Sequence, residues 1–467
     1  MADYTFTTLT AAQALALSGS DTLLIDVGTG SETSVSYGVP AADQITLVAG
    51  GRTLVVGTGA TLTQISFTDG GRLFIGGTGD NTFTGGASSD GLYGGQGADT
   101  LSGGDGANLL QGNQGDDQLT GGAGADIIYG GQDNDRIAVG AGRNFAQGNR
   151  GNDTISGSSG DNDTLLGGQG NDLIGATAIG PGTAAGPFTI YLDPVGRSGG
   201  GSDFLNGNLG DDTIFAGSGD DTISGEDGGD NLYDTGGRNL IDGGAGADTI
   251  VAGGSGTILG GAGDDAVGVL ASGSDAQRTL LIQLGDGNDI MGTLGRTNST
   301  DRFTIDGGAG NDNFTGSNGQ DSLNGGDGAD TIDARNGVDT IAGGAGSDQF
   351  AISSGDAGTV LAQLDSIIDW SVEDRLYFEN DNTETPVGSG SAANYAETSE
   401  TDYAAALSLA NAQIAGGVVD YVAVQVGANV FVFVDSLNNN GTADSAVRLV
   451  GRSLADISFS NFDSVTG

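Results

Sequence analysis

The 467-residue chain contains no cysteine, no histidine and no lysine. Without Cys there is no disulfide, thiolate metal site or cysteine nucleophile. Without His there is no zincin motif and no Ser-His-Asp triad. Without Lys there is no Schiff-base chemistry and no P-loop lysine for phosphate. Basic residues number 14, all of them Arg, against 61 acidic residues, for a net charge of −47. Such a charge excludes nucleic acid and anionic lipid as natural partners. No run of about 18 apolar residues occurs, so no membrane insertion is expected. The opening MADYTFTTLTAAQALALSGS lacks a basic n-region and a long apolar h-region, so it does not read as a cleaved secretory signal. Export would need another address.

Against these absences stand 92 glycines, and Asp outnumbers Glu by 54 to 7. Glycine reaches only ~7% in average proteins. The preference for the shorter carboxylate suits turns and cation ligation against the backbone. Asp or Asn recurs every nine residues at 81, 90, 99, 108, 117, 126, 135, 144 and 153, and then, after a one-residue slip, at 163 and 172. Further blocks run through 203–248 with Asp265 following, around Asp289, and through 312–348. Two positions after the acid sits an apolar residue, as in Leu92, Leu101, Leu110, Leu119, Ile128 and Ile137, with Ala146 an exception.

Each nine-residue unit reads as a six-residue glycine turn followed by a three-residue strand with one inward side chain. Two units, 18 residues, return the chain to the same edge. Residues 76–351 then form about 15 coils, a rod of roughly 70 Å at ~4.8 Å per coil. Two interruptions, 176–197 with three of the five prolines and 269–306, are expected to leave the solenoid as loops or hairpins. Residues 1–75 read as an N-terminal β cap of further solenoid strands without metal turns, with a short helix near Ala11–Leu17. Residues 352–467 read as a C-terminal cap: strand, turn and strand over 365–378, a helix over 401–417, and a hairpin over 418–436 about Gly427–Asn429.

The units GGQGADTLS (94–102), GGAGADIIY (121–129) and GGDGADTID (325–333) resemble GGxGxDxUx, the repeat of RTX proteins. That resemblance implies an all-β, right-handed parallel β-roll or β-helix solenoid with Ca²⁺ in its turns. It implies metal ligation by Asp90, Asp99, Asp117, Asp126, Asp135, Asp153, Asp163, Asp172, Asp203, Asp212, Asp221, Asp230, Asp248, Asp265, Asp289, Asp312, Asp321, Asp330, Asp339 and Asp348. Turn carbonyls such as those of Gly95 and Gly97 complete the set. Ca²⁺ takes six to eight oxygens, more than one turn offers, so turns 18 residues apart would share an ion, about 20 ions in all. Turns with Asn81, Asn108, Asn144 or Asn239 lose a charge, and Thr257 stands where an acid is expected. Without metal, Asx-turns alone would leave stacked carboxylates repelling one another at every coil.

The stretches DSIIDWSVEDRL and VDSLNNNGTADSAVRLVG resemble the tails of type I secretion substrates, which carry an uncleaved C-terminal export signal; a plain end cap is the other reading. The segment ahead of residue 76 is small for a catalytic domain, so the expectation is a non-enzymatic extracellular or cell-surface protein that assembles with itself. The alternative is a polysaccharide-binding or polysaccharide-modifying protein acting along the solenoid face, with Phe188, Tyr191 and Asp193 as the first residues to consider.

Overall fold

In the computed structural model the described residues are 70–158, 161–175, 201–270, 277–294, 300–353, 359–379, 395–415, 420–435 and 442–462, with six strands between residues 3 and 67 and positions 391 and 393. The chain divides into two compact units, Met1–Gly236 and Gly237–Gly467.

In the first unit, successive strands alternate between two parallel sheets. Gly91–Gln96, Leu109–Gln114, Ile127–Gln132 and Phe145–Arg150 stack in one, while Thr100–Asp105, Gln118–Ala123 and Arg136–Ala141 stack in the other. Leu92 pairs with Leu110, Leu110 with Ile128, and Leu101 with Leu119, each 18 residues on. The all-β parallel solenoid is therefore the fold. These inward residues, Ala146 included, are buried and form a core one side chain thick between the sheets. Most strands are six residues long rather than three. They run on through the glycine pair, because its backbone also joins the ladder, as Asn113 with Gly95 and with Gly131.

The one-residue slip is absorbed between Gln147 and Leu166, which pair 19 apart. Leu165 then pairs with Leu205 and Ile174 with Ile214, 40 apart. The coil thus resumes in register after an insertion of the length of 176–197, which lies outside the described residues. In the N-terminal segment, Asp3–Thr5, Thr22–Ile25 and Ile65–Phe67 do add parallel strands. Ser34–Tyr37, Gln44–Ala49 and Arg52–Gly57 do not: they form a separate antiparallel sheet. The Gly50–Gly51 pair between the last two runs is a hairpin signal, and it outweighs solenoid pairing here. The helix expected near Ala11–Leu17 falls outside the described residues.

The second unit corrects the second interruption. Residues 269–306 do not leave the solenoid: Thr279–Asp286 and Ile290–Leu294 take their places in its two parallel ladders, in steps of 23 and 24 residues. The nonapeptide pattern lapses there because the coil is wider. Thr279–Asp286 has eight residues and buries Leu280, Ile282 and Leu284. Thr257, read as a turn position, lies within the strand Ser255–Ala262. The last coil extends past 352: Ser366–Ile367 and Arg375–Glu379 continue the two ladders. Ser445–Leu449 pairs in parallel with that coil and starts a capping sheet with Asn429–Val434 and Tyr421–Val426. The helix Tyr403–Ile414, capped by Asp402 accepting from the Ala405 N–H at 2.9 Å, packs on this sheet through Ala406, Ala410 and Ile414.

Candidate metal centre

Every regular turn ends on a buried Asp or Asn whose Oδ1 accepts a hydrogen bond from the backbone one coil earlier. Asp117 Oδ1 accepts from the Asp99 N–H at 2.7 Å, Asp135 from Asp117 at 2.9 Å and Asp153 from Asp135 at 2.7 Å. On the other edge Asn108 accepts from Asp90, Asp126 from Asn108, and Asn144 from Asp126, at 2.8–2.9 Å. The second unit repeats the ladder through Asp265, Asp289, Asp312, Asp330 and Asp348. A short side chain held against the next coil does this; Glu would overreach.

The second carboxylate oxygen is the chemically decisive atom. In Asp99, Asp117, Asp126, Asp135, Asp153, Asp172, Asp212, Asp265, Asp289, Asp312, Asp330 and Asp348, Oδ2 is buried and meets no hydrogen-bond donor. A buried, unpaired carboxylate oxygen is costly. The glycines explain how it fits. A Cβ on Gly94 would lie 2.2 Å from Asp99 Oδ2, and one on Gly112 2.1 Å from Asp117 Oδ2. Gly95 and Gly97 adopt φ of 108° and 103°, a region open to glycine. Asn113, Asn149 and Asn208 hold the Gly95-type position at φ of 84°, 83° and 78°.

The asparagine turns reveal what surrounds that atom. Asn144 places Nδ2 where an Asp places Oδ2, and Nδ2 donates to the carbonyls of Gly140 and Gly142, both at 3.0 Å. Asn108 Nδ2 likewise donates to Gly106 O at 3.2 Å. The equivalent carbonyls for Asp99 belong to Gly95 and Gly97. There oxygen would face oxygen, an arrangement that requires a cation between them. Among the described residues no three carboxylates converge on one point. A hard cation here would draw mostly on backbone carbonyls, which suits Ca²⁺. The donor set thus fits the metal that the sequence resemblance implies.

Three predicted ligands sit in a different kind of turn. Asp90 Oδ2 accepts from the Gly86 N–H at 2.6 Å, Asp163 Oδ2 from the Ser158 N–H at 3.1 Å, and Asp321 Oδ2 from the Ser317 N–H at 2.6 Å. Gly86, Ser158 and Ser317 do not take positive φ, so N–H groups rather than carbonyls point inward. These carboxylates are filled by the protein itself. The remaining predicted positions, Asp203, Asp221, Asp230, Asp248 and Asp339, are buried members of the same ladders.

The sequence reading missed Asp365, Asp374 and Asp301. Asp365 accepts from the Asp339 N–H at 2.8 Å and Asp374 from the Asp348 N–H at 3.2 Å. Their signal was present, since Ile367 and Leu376 each follow an Asp by two. Asp301 shows a cation supplied by the protein. The Arg278 guanidinium donates to Asp301 Oδ2 at 3.0 and 3.3 Å and to Leu270 O at 2.7 Å. A second, exposed Asx ladder was also missed: Asn134 N–H donates to Asp116 Oδ1, Asn152 N–H to Asn134 Oδ1, and Asn171 N–H to Asn152 Oδ1.

The electrostatics follow from burial without neutralisation. The described residues hold two ion pairs, Arg278–Asp301 and Arg335–Asp333. Burial, opposed by the ladder N–H, pushes Asp135 and Asp172 up to about 8 and Asp117 and Asp212 to about 7, with neighbouring carboxylates adding to the rise. The metal-free turn holds a proton near neutrality because no cation is at hand.

Asn144→Asp is expected to convert a self-satisfied turn into a cation site. It removes two amide hydrogen bonds, costing the metal-free fold about 1–3 kcal/mol, and adds one Ca²⁺ to the bound total. Equilibrium dialysis of the variant against wild type checks the count; an unchanged stoichiometry would refute the assignment of this turn.

The family described as RTX calcium-binding nonapeptide repeat (4 copies) matches the chain at residues 73–101, 102–137, 129–162, 138–174, 197–232, 224–256, 304–323 and 315–350. RTX calcium-binding repeats therefore occupy much of the chain, and such repeats are typical of secreted proteins. No curated protein matches it. Among the described residues no helix is long and apolar enough to cross a membrane.

Proposed function

We propose that this RTX-repeat chain is a non-enzymatic extracellular structural protein that folds on Ca²⁺ and then associates with itself into a surface layer, matrix or filament. The supporting observation is the ladder of buried carboxylates with no donor for Oδ2. Each site would combine one Asp with inward carbonyls, as Asp99 with those of Gly95 and Gly97. About 20 ions would nearly cancel the net charge of −47. Asp90, Asp163 and Asp321 are the turns least in need of one.

Neutralisation removes the repulsion that keeps acidic rods apart. Outward apolar side chains such as Ile290 and Leu294, 61% and 54% exposed, can then meet another copy. Low cytosolic Ca²⁺ would keep the chain unfolded for export through a C-terminal signal, and extracellular Ca²⁺ would fold it on exit. Light scattering and negative-stain microscopy across a Ca²⁺ titration test the proposal. Assemblies should grow as Ca²⁺ reaches millimolar levels and dissolve in chelator. A monodisperse monomer at millimolar Ca²⁺ and high protein concentration would refute the structural role.

A further inference from the structure

One face of the first unit departs from the rest of the chain. The strands Gly91–Gln96, Leu109–Gln114, Ile127–Gln132, Phe145–Arg150, Thr164–Gln169 and Phe204–Leu209 contain no Asp or Glu, and Arg150 is their one charged residue. The next strand of the same sheet, Thr222–Asp227, brings back Glu226 and Asp227. In a chain with 61 acids, six consecutive acid-free strands on one face set that face apart.

Parallel register turns their outward residues into columns. Gln96, Gln114, Gln132, Arg150 and Gln169 form one, with Gln96 donating to Gln114 at 3.0 Å. Asn113, Asn149 and Asn208 alternate with Gly131 and Gly168 in the next. All three asparagines have positive φ, where glycine would serve the backbone better, so each adds an amide at a conformational cost. Between the columns lie two adjoining shallow hollows of about 330 and 340 Å³, both touching Asn149 and Arg150. Asn208 Nδ2 and Asn206 Oδ1 are shielded there without a hydrogen-bond partner. Tyr129 and Phe145 flank the trough, their ring centroids 5.7 Å apart.

We infer that this amide-lined trough binds a neutral polysaccharide chain laid across the strands. Amides offer the paired donors and acceptors that hydroxyl groups need. Aromatic rings provide an apolar platform for the C–H face of a sugar ring. Amides repeating at the strand spacing of ~4.8 Å suit a polymer rather than a single sugar. A polyanion would call for more than one arginine. The site needs the solenoid folded, but it does not depend on self-assembly.

Affinity electrophoresis of the full chain in millimolar Ca²⁺ tests this, using gels that contain a soluble β-glucan, a mannan, dextran or dextran sulfate. At least one neutral polysaccharide should retard the protein. The variant Asn113→Gly/Asn149→Gly/Asn208→Gly keeps a permitted backbone, and with Tyr129→Ala it should bind roughly tenfold or more weakly. Gln132→Glu alone should weaken binding in the same direction. Both variants should keep the wild-type Ca²⁺-induced circular dichroism. Equal retardation of wild type and variants, retardation by dextran sulfate alone, or none by any neutral polymer would overturn the inference. Loss of self-association in the variants with glycan binding intact would make the face a contact between copies and equally overturn it.

Discussion

In chelator at about pH 8 the chain is expected to give the circular dichroism of a largely disordered polypeptide, and millimolar Ca²⁺ should restore a β-rich spectrum. Ordering the backbone costs ~1–2 kcal/mol per residue, and glycine loses most. The regular coil returns one large apolar side chain per nine residues, such as Leu101 or Leu119. Each metal-free turn also buries an oxygen with no donor, as at Asp117 and Asp135. Core burial and hydrogen bonds thus leave a deficit at every coil, which binding of the ion must offset. A fully folded chelated form would contradict this account.

The same carboxylates give a pH dependence of definite sign. In the metal-free fold Asp117, Asp135, Asp172 and Asp212 are raised from 3.8 to about 7 or 8. A raised carboxyl binds its proton more tightly in the folded state. Its contribution to the metal-free fold is therefore fully present below about pH 4 and lost as the pH rises through about 7–8. In chelator, acidification should increase β structure; with Ca²⁺ present, protons compete with the metal and acid should weaken binding.

How much of this was legible beforehand varies by element. The inward leucines and the carboxylate ladder were readable, because one coil is two repeats and the spacing is local. The wide coils around Leu280, Ile282 and Leu284 were hidden, because they keep the alternation of a strand while dropping the nine-residue count. The division between orphaned Asp99 and self-satisfied Asp321 was also hidden. It depends on whether the residue four before the acid takes positive φ, and Gly86 and Gly95 look alike in sequence. The Arg278–Asp301 pair joins residues 23 apart in a stretch without repeats, so no spacing announced it.

Removing residues 395–467 is expected to abolish the Ca²⁺-induced change at Trp370, the only tryptophan. Trp370 is fully buried in the last coil, and its Nε1 donates to Asp456 O at 2.9 Å. That coil depends on the cap at several points. Arg448 N–H donates to Asp365 O and Val450 N–H to Ile367 O, at 3.1 and 2.9 Å. Phe378 lies 6.4 Å from Tyr421, and Leu376 bridges to Phe462. Without the cap, Trp370, Leu376 and Phe378 would each face water, at about 1.5–3 kcal/mol for a large apolar side chain. Asp365, raised to about 7 by burial, would lose the neighbours that hold its turn. In full-length protein, Trp370 emission should shift to the blue on Ca²⁺ addition. In the truncated chain it should stay red at any Ca²⁺ level, and the coils before it should need more Ca²⁺ to fold, since an open end frays. An identical blue shift and Ca²⁺ midpoint in both chains would show that the last coil stands without its cap.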